Sequence, residues 1–358
     1  MSSVAVQLLY TMPIGTLPPG LASAITGTKS FRDIANLNSG SAAVPGYPLF
    51  FPAGGKIDAM FIRSAATVVV VATVISSAAA QTTLLGVLED VPGVYAGESD
   101  RHAVRVVFEK QDSEWRALPS ACPDEHCLAT VSSDYPREVV WNVVFDGRNL
   151  GQITARTPNG FKFYSWVGLQ EIISKGPVPT VGQKSRQYAG YSDDRVYRPL
   201  VTNSQPYFTD PNSWRASKLS TEMAGLLRQQ YRRRFPKLCK LGEDQATLQP
   251  FSYGDNQIEV TAAYTSNKSW TVARLHLEGA IECGDTEAGF ETDDKWFVVD
   301  PKQSVSYLDE GMWLVDTGDY DDDGCSELVF SIDRENHGGY ELFYNDFKKR
   351  ATFEYSYH

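Results

Sequence analysis

Apolar and polar residues alternate over short stretches through much of this chain. Residues 84–88, 102–110, 114–118, 139–145 and 151–155 are runs of β-branched, aliphatic and aromatic residues. A period of two places successive side chains on opposite faces of a strand. Asp-Gly, Pro-Gly, Asn-Gly and Gly-Asp pairs punctuate the runs, and such pairs supply the backbone conformations of tight turns. The rhythm returns at 257–264 and 270–278. Near the C-terminus four more runs follow, at 312–315, 327–332, 340–344 and 351–357. Strands this short, with turns this frequent, predict a mainly β protein of antiparallel sheets: a sandwich, barrel or propeller rather than a parallel α/β sheet.

One segment changes period. Leu219, Met223, Leu226, Leu227 and Tyr231 recur at helical spacing and predict one amphipathic helix, ended by Pro236. Asp210-Pro211 resembles a helix cap followed by proline at the first helical position. Residues 176–213 are rich in Pro, Tyr and Ser with weak periodicity, which predicts a linker or long loop between a β-rich region at 81–175 and a second at 214–358.

The first 80 residues fit neither region. Residues 1–59 carry only five charged side chains (Lys29, Arg32, Asp33, Lys56 and Asp58) and no sustained period, a low-charge extension outside the expected mature protein. Residues 60–80 begin Met-Phe-Ile-Arg, continue through the apolar run at 65–75 and end in Ala-Ala-Ala. A cationic start, short apolar centre and small-residue end are the parts of a secretory signal peptide, with a cleavage point between Ala80 and Gln81. Translation from Met60 accounts for the internal position. An uncleaved signal anchor is the alternative. Both send residues 81–358 out of the cytoplasm, as a secreted or periplasmic protein or one anchored in the membrane facing outward.

Composition narrows the partners. The 358 residues are 42% hydrophobic with a net charge of −11, which opposes general nucleic-acid binding, since phosphate needs a cationic face. Charge is unevenly spread: residues 281–345 hold 18 acidic and 3 basic side chains. Arg228, Arg232, Arg233, Arg234, Lys237 and Lys240 gather at the helix end. Cations there suit the negative end of the helix dipole and the acidic C-terminal region, or an anionic surface outside the chain.

The acidic region contains the most specific motif, Asp319-Tyr320-Asp321-Asp322-Asp323-Gly324-Cys325-Ser326-Glu327. Carboxylates at positions 1, 3 and 5 turn inward when glycine at position 6 allows a tight bend, and Ca²⁺ takes six to eight such hard oxygens. An EF-hand would require flanking helices and Glu at position 12. Here position 12 is Phe330 and the flanks are strand-like. With its four strands at 311–357, the segment resembles the FG-GAP (VCBS-like) repeat of integrin-α-type β-propellers, whose blades carry a D-x-D-x-D-G-x-x-[DE] calcium loop. The resemblance implies a propeller-like blade, Asp319, Asp321, Asp323 and Glu327 as side-chain ligands, and the Cys325 carbonyl as a further ligand. Residues 141–153 and 257–277 have the spacing of further blades without the loop.

Cysteine usage agrees with export. Cys122 and Cys127 stand five apart around Pro123, which predicts a local disulfide; a metal site using His126 is the alternative. Cys239, Cys283 and Cys325 leave one pair to form and one thiol over. No H-E-x-x-H, G-x-S-x-G or G-x-G-x-x-G motif occurs. The expectation is therefore an exported, calcium-binding, β-rich binding or scaffold protein whose further partner is a cell-surface glycan or protein. The alternative is a secreted hydrolase acting on glycan or a related polymer through a carboxylate pair.

Overall fold

The computed structural model describes residues 82–91, 101–122, 124–182, 197–242, 247–283, 294–334 and 336–356. The low-charge extension at 1–59 and the signal segment at 60–80 lie outside the described residues.

Alternation in the first half closes a barrel. Its strands are β1 (Thr83–Val91), β2 (Arg101–Gln111), β4 (Glu138–Phe145), β5 (Arg148–Arg156), β6 (Leu169–Ile172) and β7 (Leu200–Asn203), with β3 (Glu114–Ala117) added as a hairpin on β2. They run in the order β1-β7-β4-β5-β6-β2, and β2 pairs back onto β1, so no edge is left among the six. A helix of two turns, α1 (Glu125–Val131), lies between β3 and β4. Trp141 on β4 donates from Nε1 to Oε1 of Gln170 on β6 at 2.9 Å. Because β5 separates those strands, this bond crosses the lumen. Trp141 and Gln170 are fully buried, so the middle of the barrel is filled core.

The second half forms three open sheets. Five strands, β8 (Arg215–Ala216), β11 (Glu259–Thr265), β12 (Thr271–His276), β14 (Asp294–Val299) and β15 (Val305–Glu310), make one sheet. The helix α2 (Thr221–Arg234) packs Leu227 and Tyr231 against Ala273, Leu275, Phe297 and Val299 of this sheet. The predicted apolar face is the buried one, and each such large side chain taken out of water contributes about 1.5–3 kcal/mol. A small sheet joins β9 (Leu238–Leu241), β10 (Leu248–Phe251) and β13 (Ile281–Glu282). Last comes a four-stranded meander of β16 (Met312–Gly318), β17 (Glu327–Arg334), β18 (His337–Tyr344) and β19 (Lys349–Ser356).

The protein is thus mainly β, as its periodicity predicts, but the sheets differ from the propeller expectation. Only β16–β19 has the size of a blade. Residues 141–153 belong to the β4–β5 hairpin of the barrel, and 257–277 to the β11–β12 pair of the five-stranded sheet. The segment expected as a linker, 176–213, contains β7, which joins β1 to β4. One core cluster also runs from Leu85 in the barrel to Phe353 in the last strand, across that expected boundary. Four residues of β7 are too few to show a period, which is why the sequence conceals this strand.

Asp210 does not cap the helix. Ser220 does, accepting from the Met223 amide at 3.1 Å. Asp210 instead accepts from the Trp214 amide at 2.7 Å and the Ser326 hydroxyl at 2.5 Å, and so ties this stretch to the acidic loop. The basic helix end is largely held within the molecule. Arg228 donates to the Ile258 carbonyl at 2.9 Å, Arg232 pairs with Asp255 at 3.0 Å, and Arg234 lies over the Phe235 and Tyr307 rings.

Candidate metal centre

The acidic loop connects β16 to β17. Gly324 has φ +84, the left-handed conformation for which glycine is suited, although a β-carbon added there would meet nothing within 4 Å. Asp322 also lies in that region, at φ 61. The bend returns the chain so that Asp319, Asp321 and Glu327 bring one carboxylate oxygen each within 4.8 Å of one another. Asp319 organises the turn by accepting from the amides of Asp323 at 3.0 Å and Gly324 at 2.9 Å. Glu327 accepts from the Tyr320 amide at 2.8 Å.

The remaining residues of the motif stand apart. Asp323 is exposed, and its Oδ1 accepts from the Cys325 amide at 2.8 Å. It therefore caps the turn from outside and is not part of the three-carboxylate group. Cys325 is partly buried and keeps a free thiol, which burial pushes up.

Electrostatics make the cluster costly as it stands. Burial pushes the Glu327 carboxyl well above the usual range, and the neighbouring Asp321 carboxylate adds to the effect. Burial also raises Asp319, against the pull of the Gly324 and Asp323 amides. The Asp321 side chain is only 4% exposed, and its Oδ1 has no hydrogen-bond partner among the described residues. Its Oδ2 accepts from the ammonium of Lys110, which arrives from β2 and lies near the Trp115 and Tyr344 rings.

Sequence reasoning misses Lys110 because 211 positions separate it from Asp321, and no spacing rule spans such a gap. It also misses the struts that fix the loop. Asn203 of β7 donates to the Tyr320 carbonyl at 2.8 Å, and the Asp319 amide donates to the Thr209 carbonyl at 2.6 Å. The loop therefore sits where the barrel meets the last sheet.

No family model, curated protein or solved structure matches this chain. Function must come from its own chemistry.

The donor set suits a hard divalent ion. Three carboxyl groups converge with one ammonium, that of Lys110, and one buried carboxylate oxygen has no hydrogen-bond partner among the described residues. Asp319, Asp321 and Glu327 are the residues that would hold such an ion.

The predicted Cys122–Cys127 disulfide forms, with Cα atoms 5.5 Å apart beside α1. Asp124 caps that helix, accepting from the amides of His126 at 2.9 Å and Cys127 at 3.2 Å. Cys239 pairs with Cys283, which leaves Cys325 as the remaining thiol. Two disulfides match an oxidising, extracellular environment. Among the described residues no helix is long and apolar enough to cross a membrane.

Proposed function

We propose that this is an exported binding or scaffold protein whose C-terminal sheet is one FG-GAP-like blade braced by Ca²⁺. The observation that carries the reading is the convergence of the Asp319, Asp321 and Glu327 carboxyl groups, of which Asp321 meets the Lys110 ammonium. A divalent cation there neutralises charge that burial otherwise makes unfavourable. The chain's own residues orient the ligands: the backbone amides of Tyr320, Asp323 and Gly324 hold the carboxylates, and Asn203 holds the loop. The resemblance adds Asp323 and the Cys325 carbonyl as outer members of the set. Calcium is structural on this reading, since the loop joins β16 and β17 to the barrel. Export through a signal at 60–80, cleaved or retained as an anchor, accords with the disulfides.

Thermal unfolding in EDTA and in millimolar Ca²⁺ tests the reading. Extracellular calcium modules bind at about 10⁻⁴–10⁻³ M. A tenfold excess over Kd then adds about 1.4 kcal/mol, a rise in Tm of roughly 3–6 °C. Asp321→Ala should abolish that rise. A Tm indifferent to calcium would make the loop a charged hairpin and remove the blade's calcium role.

A further inference from the structure

The acidic loop is met by a cation from another part of the chain. Lys110 stands on β2 of the barrel, opposite Thr83 of β1 and Trp115 of β3 in the two ladders. Its side chain is 18% exposed, so most of it is withdrawn from water. Among the described residues its hydrogen-bond acceptor is Oδ2 of Asp321. The rings of Trp115 and Tyr344 flank the ammonium, their centres 5.3 and 5.8 Å from Nζ, and aromatic faces attract a cation.

The two oxygens of Asp321 are therefore unequal. Oδ2 holds the lysine, while the buried Oδ1 has no hydrogen-bond partner among the described residues. A buried acceptor left without a partner carries a desolvation penalty. Asp319, Asp321 and Glu327 each offer one oxygen within 4.8 Å of the others. An ion ligated by a carboxylate oxygen lies about 2.4 Å from it, and an ammonium about 2.8 Å from the oxygen it holds. Two cations on one carboxylate are then only a few ångströms apart in a largely buried place, and they repel strongly.

We propose that Lys110 is a built-in competitor for the ion: its ammonium and a divalent cation contend for Asp321, and Lys110 gives way when the cation binds. With calcium as the ion, a point that rests on the reading above, Lys110 sets the affinity of the loop. Glu114 is the acceptor to which a displaced Lys110 turns. It accepts from the Tyr344 hydroxyl at 2.9 Å and from Lys349. Hydrogen bonds from Lys349 and Tyr344, with the nearby Lys110 charge, hold its carboxyl below the usual range. Two consequences follow. The ammonium keeps the loop docked on the barrel without calcium, and the exchange weakens calcium binding. Weak binding suits a module that fills only where calcium is plentiful, as it is outside the cell.

Calorimetric titration of CaCl₂ into the full chain tests it, with the native protein compared to Lys110→Met and Lys110→Gln. Both variants remove the charge; Met keeps the apolar stem, and Gln keeps a polar head should the Met variant fail to fold. Each should bind calcium roughly tenfold more tightly than the native protein, or better. Urea unfolding in EDTA adds a measurement without metal. Lys110→Met should be less stable there than the native protein, and Lys110→Met with Asp321→Asn should recover most of the loss. Calcium affinity that is unchanged or weaker in the lysine variants overturns the proposal and leaves the calcium site standing. Binding by the variants alone supports it, and ends the calcium reading of the native protein. No binding by any of the three, each folded in EDTA, overturns both. Unchanged stability of Lys110→Met in EDTA overturns the competition whatever calcium does.

Discussion

At the scale of single residues, buried carboxylates dominate the chemistry of this protein, and Glu341 gives the cleanest test. It is 1% exposed on β18. Its Oε1 accepts from Arg350 and from Thr352 at 3.1 Å each, while Oε2 has no hydrogen-bond partner among the described residues. Burial pushes its carboxyl up to about 7, overcoming the opposing pull of Arg350. Folding therefore favours the protonated form. The stabilisation is complete below the ordinary carboxyl range and is lost as pH rises through about 7, at most about 3 kcal/mol across the interval. Glu341→Gln should flatten this dependence, matching the native protein near pH 4 and exceeding its stability at pH 8. Urea unfolding at both pH values decides it, and parallel profiles for the two proteins would contradict the account.

At the scale of elements, α2 illustrates how local and tertiary forces divide the work. Ser220 begins the helix, and Arg232, Arg233 and Arg234 occupy the last turn, where cations suit the dipole. Packing of Leu227 and Tyr231 decides which face is buried. Gly225 lies mid-helix on the exposed side, and a β-carbon added there meets nothing within 4 Å. Gly225→Ala should raise stability by about 0.5–1 kcal/mol by removing backbone freedom from the unfolded chain. The check is the denaturation midpoint at an unchanged m-value. Gly339 is the opposite case, because a β-carbon there would lie 2.1 Å from the Phe353 carbonyl oxygen of the neighbouring strand. Helical period and capping were legible in the sequence for α2. The exchange of Asp210 for Ser220 as cap was not, because Asp210 is drawn to Ser326, 116 positions away.

At the scale of the whole molecule, the barrel and the last sheet share one core and one buried ion pair. Arg105 on β2 pairs with Glu89 on β1 at 2.7 Å and lies 4.0 Å from the centre of the Tyr355 ring on β19. Glu89 also accepts from the Tyr340 hydroxyl on β18 at 2.8 Å. Removing one partner of such a pair leaves an uncompensated charge, which costs about 3–5 kcal/mol. Arg105→Met should lose that much in equilibrium unfolding, and Arg105→Met with Glu89→Gln should recover part of it. A loss below about 1 kcal/mol for the single variant would mean that water reaches the pair. Lys110, Asn203 and Asp146 make further bonds between the barrel and the region of β16–β17. These bonds hold the acidic loop against the barrel.

The strands at 84–88, 102–110, 139–145 and 151–155, the four runs after residue 311, the apolar face of α2, the glycine bend in the acidic loop and the Cys122–Cys127 bridge were all legible in the sequence. Each depends on side-chain period, on the freedom of glycine or on residues close along the chain, and these act over a few positions. Tertiary structure alone decided that six strands close into a barrel, that β7 comes from the stretch resembling a linker, and that Cys283 is the partner of Cys239. It also decided that Lys110 meets Asp321. The physical reason is separation. An ion pair across 211 positions or a strand added between two others forms only when the rest of the chain has folded around it. A period of two describes a strand equally well in a propeller blade and in a barrel wall.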